Sequence, residues 1–329
     1  SVYAAIGSTE RAEDHLAAAE SLWEALGKGD SPEMADTLFT RAVLEINRGG
    51  FEEAERRLTR AINIRQRELG ARHHKVGQSL DARGGVMLTQ GRLAEAAPDL
   101  EAAAEILAEH FETGSDDLLH NVNKRAIIAA ESGDLASARD LVRPHAEAVL
   151  DRSKPTPVVT SVLNTMAVLC SRSGDHDEAN RWYRRATEIA ETIYGPTHQH
   201  TLTARMNAAV ARQRGGDVDE AEAEFRAILA AQRGVLGDDH PDTLSTRLNL
   251  AVLIARSDEH AGSVSMLRGL LDDTVRVYGP SHPTTALTRA ALGEAVMRAG
   301  PEHETEAIDL LTRALEDLER TIGPDSGPA

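Results

Sequence analysis

The sequence predicts an all-α fold, an α-solenoid built from antiparallel helix pairs. The main observation is a small residue that returns with an almost constant spacing of 42 residues. The alanines of this column are separated by 42, 42, 42, 41 and 42 residues: Ala12, Ala54, Ala96, Ala138, Ala179 and Ala221. Ser263 stands in the next position, and Ala307 follows after a two-residue insertion. A fixed period of this length is typical of a stack of repeated supersecondary units.

Each repeat reads as two helices. In residues 241–278, apolar residues recur at steps of three and four in two successive runs, which is helical periodicity. In most repeats a glycine stands between the two runs: Gly50, Gly91, Gly133, Gly174, Gly216 and Gly300. Between repeats, Gly195, Gly237 and Gly279 end second helices, and Pro241 and Pro283 lie where the first turn of the next helix tolerates proline.

A second column of small residues precedes the first by twelve positions in most repeats. Its members are Ala42, Gly84, Ala126, Ala167, Ala209, Ala251 and Gly293. Small side chains at both columns let two helices cross closely, so we expect both columns to be buried at the crossing of each helix pair.

These columns resemble the tetratricopeptide repeat. The 42-residue period, the joint "LGDDHP" and the segment "LNTMAVLCSRSGDHDEANRWYRRATEIAETIYG" narrow the resemblance to the kinesin-light-chain-like subclass found in bacterial regulatory proteins. The resemblance implies a right-handed superhelix whose first helices line a concave groove that binds peptides.

We expect a single array over residues 1–329 with about eight repeats. The first repeat is truncated (1–27), the last spans 284–323, and a tail covers 324–329. The truncated start predicts that the chain is a piece of a longer polypeptide. Because solenoid ends need a polar cap, the uncapped ends predict either self-association or a neighbouring domain.

Composition disfavours several classes of partner and indicates the cellular compartment. The net charge of −17 disfavours nucleic acid and anionic membranes, since both require a cationic surface. Cys170 is the single cysteine, so no internal disulfide can form, and a reducing, cytoplasmic location is expected. No apolar run reaches the roughly 20 residues that span a bilayer.

We find no catalytic motif and expect no metal and no cofactor. His198, His240 and His282 repeat with the 42-residue period. Equivalent positions in successive repeats lie about 10 Å apart, whereas zinc ligands lie about 2 Å from one centre. The histidines are therefore interpreted as polar residues that organise the joints.

The candidate site is the groove lined by the first helices. By resemblance, Asn123 and Asn164 match asparagines that bond to peptide backbone, and Asn207 and Asn249, one position later, are included with less direct correspondence. Four consecutive repeats place arginine at one groove position: Arg172, Arg214, Arg256 and Arg298.

Two interpretations of this arginine ladder remain open. The four guanidinium groups either bind the carboxylates or phosphates of an acidic ligand, or are cations that stabilise the C-terminal ends of first helices. A further periodic set, Arg205, Arg247 and Arg289, lies on the opposite helix face and is expected to form ion pairs between repeats.

The leading hypothesis is a protein-interaction scaffold or adaptor that binds a peptide or partner protein in the groove. The alternative is the sensor region of a larger signalling enzyme whose kinase or nucleotide-triphosphatase domain lies outside this chain.

Overall fold

The computed structural model describes residues 9–150, 152, 154–256 and 260–322. The expected beginning of the truncated first repeat and the tail at 324–329 lie outside the described residues. The repeat count and its boundaries therefore stay a prediction.

The described residues form fifteen α-helices and a short 3₁₀ helix, with no strand among them. The helices are α1 (Thr9–Ala25), α2 (Pro32–Asn47), α3 (Phe51–Leu69), α4 (His74–Thr89), α5 (Leu93–His110), α6 (Asp116–Glu131), α7 (Leu135–Ala148), α8 (Pro157–Arg172), α9 (His176–Tyr194), α10 (Gln199–Gly215), α11 (Val218–Leu236), α12 (Pro241–Ile254), α13 (His260–Tyr278), α14 (Pro283–Ala299) and α15 (Glu304–Ile322). The 3₁₀ helix spans Pro301–His303. Within the described ranges, no helix is both long and apolar enough to cross a membrane.

The chain divides into two compact units, residues 1–174 with α1–α8 and residues 175–329 with α9–α15. In the first unit each helix packs against the next, and the first helices α2, α4, α6 and α8 also contact one another in sequence order. In the second unit the same holds for successive helices and for the first helices α10, α12 and α14. Each unit is thus a stack of helix pairs, as the sequence predicts.

Both columns of small residues lie at the core of the helix pairs. The alanines of the main column are 0–1% exposed, and Ser263 in the same column is 0% exposed. At Gly84, an added Cβ would come within 2.7 Å of the Leu100 side chain and 3.3 Å of the Ala96 carbonyl oxygen. The crossing has no room for a larger residue there, which confirms the expected close approach of the helices.

Histidine side chains cap the first helices at four joints. In each case Nδ1 accepts a hydrogen bond of 3.2 Å from the backbone N–H two residues later, at His73, His198, His240 and His282. This satisfies one of the amide groups that a helix N-terminus leaves unpaired. The interpretation of the histidine column as a joint residue is confirmed.

A threonine column completes three of these joints. The Oγ1 atoms of Thr201, Thr243 and Thr285 donate to the carbonyl oxygens of Gly195, Gly237 and Gly279 at 2.7–2.8 Å. These glycines have φ of 86° to 92°, a conformation that favours glycine because it lacks a Cβ. Each joint therefore links the end of one second helix to the third residue of the next first helix.

Candidate functional site

An apolar cleft lies along the first helices of the first unit. It has a volume of about 600 Å³ and is lined by α2, α4 and α6, and we call it the α2–α4–α6 cleft. Its floor is formed by apolar side chains: Phe39, Val43, Ile46, Ala82 and Val86. Val43 is 38% exposed, so apolar surface is open to a ligand.

The aromatic ring at one end of this floor is held by a charged network. Phe39 lies 4.8 Å from the guanidinium of Arg65, whose Nη2 donates to Asp36 Oδ1 at 2.7 Å. Lys75 Nζ donates to the other carboxylate oxygen at 2.7 Å. Burial raises the pKa of Asp36, but the hydrogen bonds from Lys75 and Arg65 outweigh it and hold the pKa below its usual range. The network ties α2, α3 and α4 together.

Two side-chain bridges lie beside the cleft, and one of them is an ion pair. Lys124 Nζ donates to Asp81 Oδ2 at 2.5 Å and to the Asp81 carbonyl at 3.1 Å. Gln78 Nε2 donates to Asp117 Oδ1 at 2.8 Å. Both bridges join α4 to α6. Lys124 and Asp81 compensate one another, whereas Asp117 is hydrogen-bonded to a neutral amide and keeps its negative charge at the edge of the cleft.

A second cleft of about 300 Å³ lies between α6 and α8, and we call it the α6–α8 cleft. Ile127 and Val168 supply apolar side chains that are 44% and 41% exposed. They share one sequence column with Val43 and Gly85, at spacings of 42, 42 and 41 residues. We call Val43, Ile127 and Val168 the apolar stripe; it is interrupted on α4 at Gly85, which the Lys124 side chain approaches.

Two of the predicted asparagines come together at the α6–α8 cleft. Asn164 lines it, and Asn123 donates through Nδ2 to Ser161 Oγ at 3.1 Å. The Oδ1 atoms of both asparagines are shielded from solvent without a hydrogen-bond partner. A buried acceptor without a donor costs free energy, so both amides would gain from a donor, but neither oxygen is open to a ligand in this arrangement of the side chains.

Arg172 also lines the α6–α8 cleft, but its guanidinium is partly occupied. It donates to the Ala130 carbonyl at 3.2 Å and lies 3.6 Å from Glu131. Arg298 repeats the carbonyl contact in the second unit, with the Ala255 carbonyl at 3.4 Å, and its acidic neighbour at 3.9 Å is Glu294 of its own helix. Both arginines thus contact the C-terminal end of the preceding first helix, which favours the helix-end interpretation of the ladder at these two positions.

The other predicted site residues are not gathered into one site. Asn207 is half-buried on α10, and Asn249 on α12 donates to Met206 Sδ at 3.4 Å. Arg214 is exposed in the last turn of α10, and Arg256 is exposed just beyond α12. The structure therefore joins Asn123, Asn164 and Arg172 and leaves the remaining positions spread along the second unit.

Comparison with known proteins identifies the family. The family model described as tetratricopeptide repeat matches residues 33–109, 158–226 and 201–271, which together cover more than half of the chain. The chain belongs to the tetratricopeptide repeat family. No curated protein sequence matches it significantly.

Solved structures of other tetratricopeptide repeat proteins share the fold. A kinesin light chain repeat protein from Podosopora anserina is 19% identical, with a TM-score of 0.55 over 64% of this chain and 99% of that one. The Pyrococcus horikoshii signal transduction ATPase with a tetratricopeptide repeat sensor is 12% identical, with a TM-score of 0.66 over 88% of this chain and 42% of that one. A Rap protein complexed with Competence and Sporulation Factor is 14% identical, with a TM-score of 0.54 over 94% and 90%.

One expectation about the tetratricopeptide array is wrong. Arg205, Arg247 and Arg289 form ion pairs with Glu224, Asp273 and Asp317. Each carboxylate belongs to the second helix of the same repeat, so these pairs form within repeats rather than between them. The acids lie 19, 26 and 28 residues after their arginines. This irregular spacing carries no periodic signal.

Histidine, cysteine and carboxylate side chains give no candidate metal centre in the described ranges, where no group of three or more is arranged to hold an ion. Cys170 is buried on α8. The site that remains is the pair of apolar clefts in the first unit.

Proposed function

We propose that this tetratricopeptide array is a protein-interaction module that binds a peptide segment of a partner along the first helices of its first unit. The observation that carries the proposal is the apolar stripe through Val43, Ile127 and Val168, which stays open on three first helices. Isolated exposed apolar residues are ordinary, but three at one repeat position beside two clefts favour a binding surface.

The clefts suggest how such a peptide would bind. An aliphatic side chain of the peptide enters the α2–α4–α6 cleft, and the side-chain amide of Asn164, which lines the α6–α8 cleft, hydrogen-bonds to the peptide backbone. A neutral, aliphatic-rich peptide fits better than an acidic one, because Lys124 and Arg172 are already paired with Asp81 and Glu131.

Selection from a random peptide display library tests this function. We expect the selected peptides to carry aliphatic residues and to lose about tenfold or more in affinity with Val43→Lys or Ile127→Lys, since a buried charge replaces apolar contact. Val235→Lys is the matched control, because Val235 is 60% exposed on α11 of the second unit. Equal binding to all four proteins, or no enriched peptide, would reject the groove.

An acidic ligand on the arginine ladder is a second candidate for the same module. It is favoured by Arg214 and Arg256, which are exposed near the ends of α10 and α12. Acidic peptides in the same selection, lost with Arg214→Glu and Arg256→Glu, would support it. We include a cytoplasmic location in the proposal, because a chain with one cysteine needs no oxidising compartment.

A sensor region within a larger signalling protein is the alternative role. The likeness to the Pyrococcus horikoshii ATPase with its tetratricopeptide repeat sensor favours it, since this chain matches 42% of that one. The complete reading frame distinguishes the two, because a nucleotide-triphosphatase or kinase domain in it would assign this chain to the sensor role.

A further inference from the structure

A cleft in the second unit differs from those in the first, because all of its polar lining residues are arginines. It lies between the second helices α11 and α13, above the first helix α12, and has a volume of about 350 Å³; we call it the α11–α13 cleft. Three guanidinium groups line it, from Arg226, Arg233 and Arg247, and none of its described lining residues is a carboxylate, although each guanidinium is paired with a carboxylate beside the cleft. The peptide groove proposed above follows first helices, so this cleft is a separate feature.

Helical spacing explains how the cations meet. Arg226 and Arg233 are seven residues apart on α11, with Leu229 between them, so they share one face of that helix. Arg247 on α12 lies one turn before Leu250, which also lines the cleft. Leu229 and Leu250 are 7% and 3% exposed, and Met266 of α13 adds a thioether side chain that is 36% exposed. The cleft therefore combines a rim of ion-paired arginines with an apolar floor.

The arginines keep donors available. Arg226 Nη1 lies 2.6 Å from Glu222, Arg233 Nε lies 2.7 Å from Asp238, and Arg247 Nη1 lies 2.7 Å from Asp273. Each guanidinium thus uses one nitrogen in these ion pairs within the part of the chain that the structure describes. A guanidinium carries five N–H donors, so N–H groups remain on the other nitrogens of each side chain.

The pair of arginines on α11 does not recur in the next repeat. One period after Arg226 stands Arg268, but the position equivalent to Arg233 is Val275. Arg268 itself contacts Glu306 at 2.7 Å. The next repeat therefore has the first arginine without the second, which supplies a matched control within the same protein.

We propose that the α11–α13 cleft binds an amphipathic organic anion, a carboxylate carried on a short aliphatic body. The carboxylate accepts charge-assisted hydrogen bonds from the arginine forks, and the aliphatic body contacts Leu229, Leu250 and Met266. At physiological ionic strength, screening confines the field of distant carboxylates to about 8 Å, so most of the net charge of −17 has little effect here. Glu222, Asp238 and Asp273 lie within that distance and lower the affinity that the arginines alone would give.

Octanoate is the probe for this site. Titration followed by amide chemical shifts in a ¹⁵N spectrum should show saturable shifts at residues of α11 and α12, with a Kd in the millimolar range expected for a ligand of this size. Arg226→Gln and Arg233→Gln should each weaken binding about tenfold, since each removes charge-assisted hydrogen bonds. Arg268→Gln should leave it unchanged. Circular dichroism melts show whether each variant keeps its fold, and both substituted arginines lie exposed on a helix surface.

Two further ligands test the contributions of the charge and of the aliphatic chain separately. Octanamide has the same chain without the charge and should bind at least tenfold more weakly, whereas inorganic phosphate has charge without the chain and should shift the same residues less at equal concentration. The proposal is overturned if octanoate produces no saturable shifts. Equal weakening by Arg226→Gln and Arg268→Gln would overturn it too, as would octanamide binding as tightly as octanoate.

Discussion

At the scale of single residues, the packing of the helices depends on small side chains at their crossings. Ala221 is 0% exposed and lies in a cluster with Ala209, Phe225 and Leu250. Its methyl group sets how closely α10 and α11 approach. Gly84 shows the same limit on the size of the residue at a crossing, because the volume that a Cβ would need is already filled by Leu100.

Ala221→Phe should destabilise the protein by about 1–3 kcal/mol, because the larger ring overpacks the helix crossing. Urea unfolding followed by circular dichroism measures this. Ala227→Phe is the control, since Ala227 is exposed on the same helix and should change stability by less than about 0.5 kcal/mol. An unchanged midpoint for Ala221→Phe would contradict the close crossing.

At the scale of elements, the joint between repeats is a compact hydrogen-bonded unit. A glycine with positive φ ends one helix, a histidine caps the next, and a threonine connects the two. Tyr278 also stacks on His282, with ring centroids 4.6 Å apart, so the joint has an aromatic lid where tyrosine precedes the glycine. These contacts set the direction in which the next first helix begins.

Thr243→Val should cost about 1 kcal/mol, because it keeps the shape of a fully buried side chain but leaves the Gly237 carbonyl without its donor. Thermal melting detects the loss. The matched control is Thr203→Val, whose hydroxyl is exposed and bonds only to its own helix at Gln199. Similar melting of the two variants would show that the threonine column adds nothing to the joint.

At the scale of the whole molecule, stability is a sum of contacts between near neighbours. Within the described residues, α1 packs against α2 and reaches α3 through the ion pairs of Glu20 and Glu24, whereas α4 packs against α2, α3, α5 and α6. Local opening therefore requires the loss of far fewer contacts at α1 than at α4.

Amide hydrogen exchange measured by mass spectrometry should reflect this difference. Peptides from α1 should exchange faster than peptides from α4 by on the order of tenfold or more, since the free energy of local opening follows the number of packed neighbours. Equal protection of α1 and α4 would mean that the first unit opens only as a whole.

The sequence predicted the helix pairs, the buried columns and the role of the histidines, because each of these follows the 42-residue period. The threonine column has the same period and could have been found in the same way. The ion pairs of Arg205, Arg247 and Arg289 could not, because their acids lie at unequal distances along the chain. The pairing of Asn123 with Ser161 likewise depends on how two first helices approach.

The sequence by itself therefore determined the architecture and the family, since repeated local patterns specify repeated local structure. Only the tertiary structure decided which surfaces remain open. It placed acids or carbonyls beside Lys124, Arg172 and Arg298, and acids beside the arginines of the α11–α13 cleft as well. It left the apolar stripe of the first unit and the α11–α13 cleft open to solvent. The physical reason is that neutralisation and burial depend on distances between side chains of different helices, which a one-dimensional period does not contain.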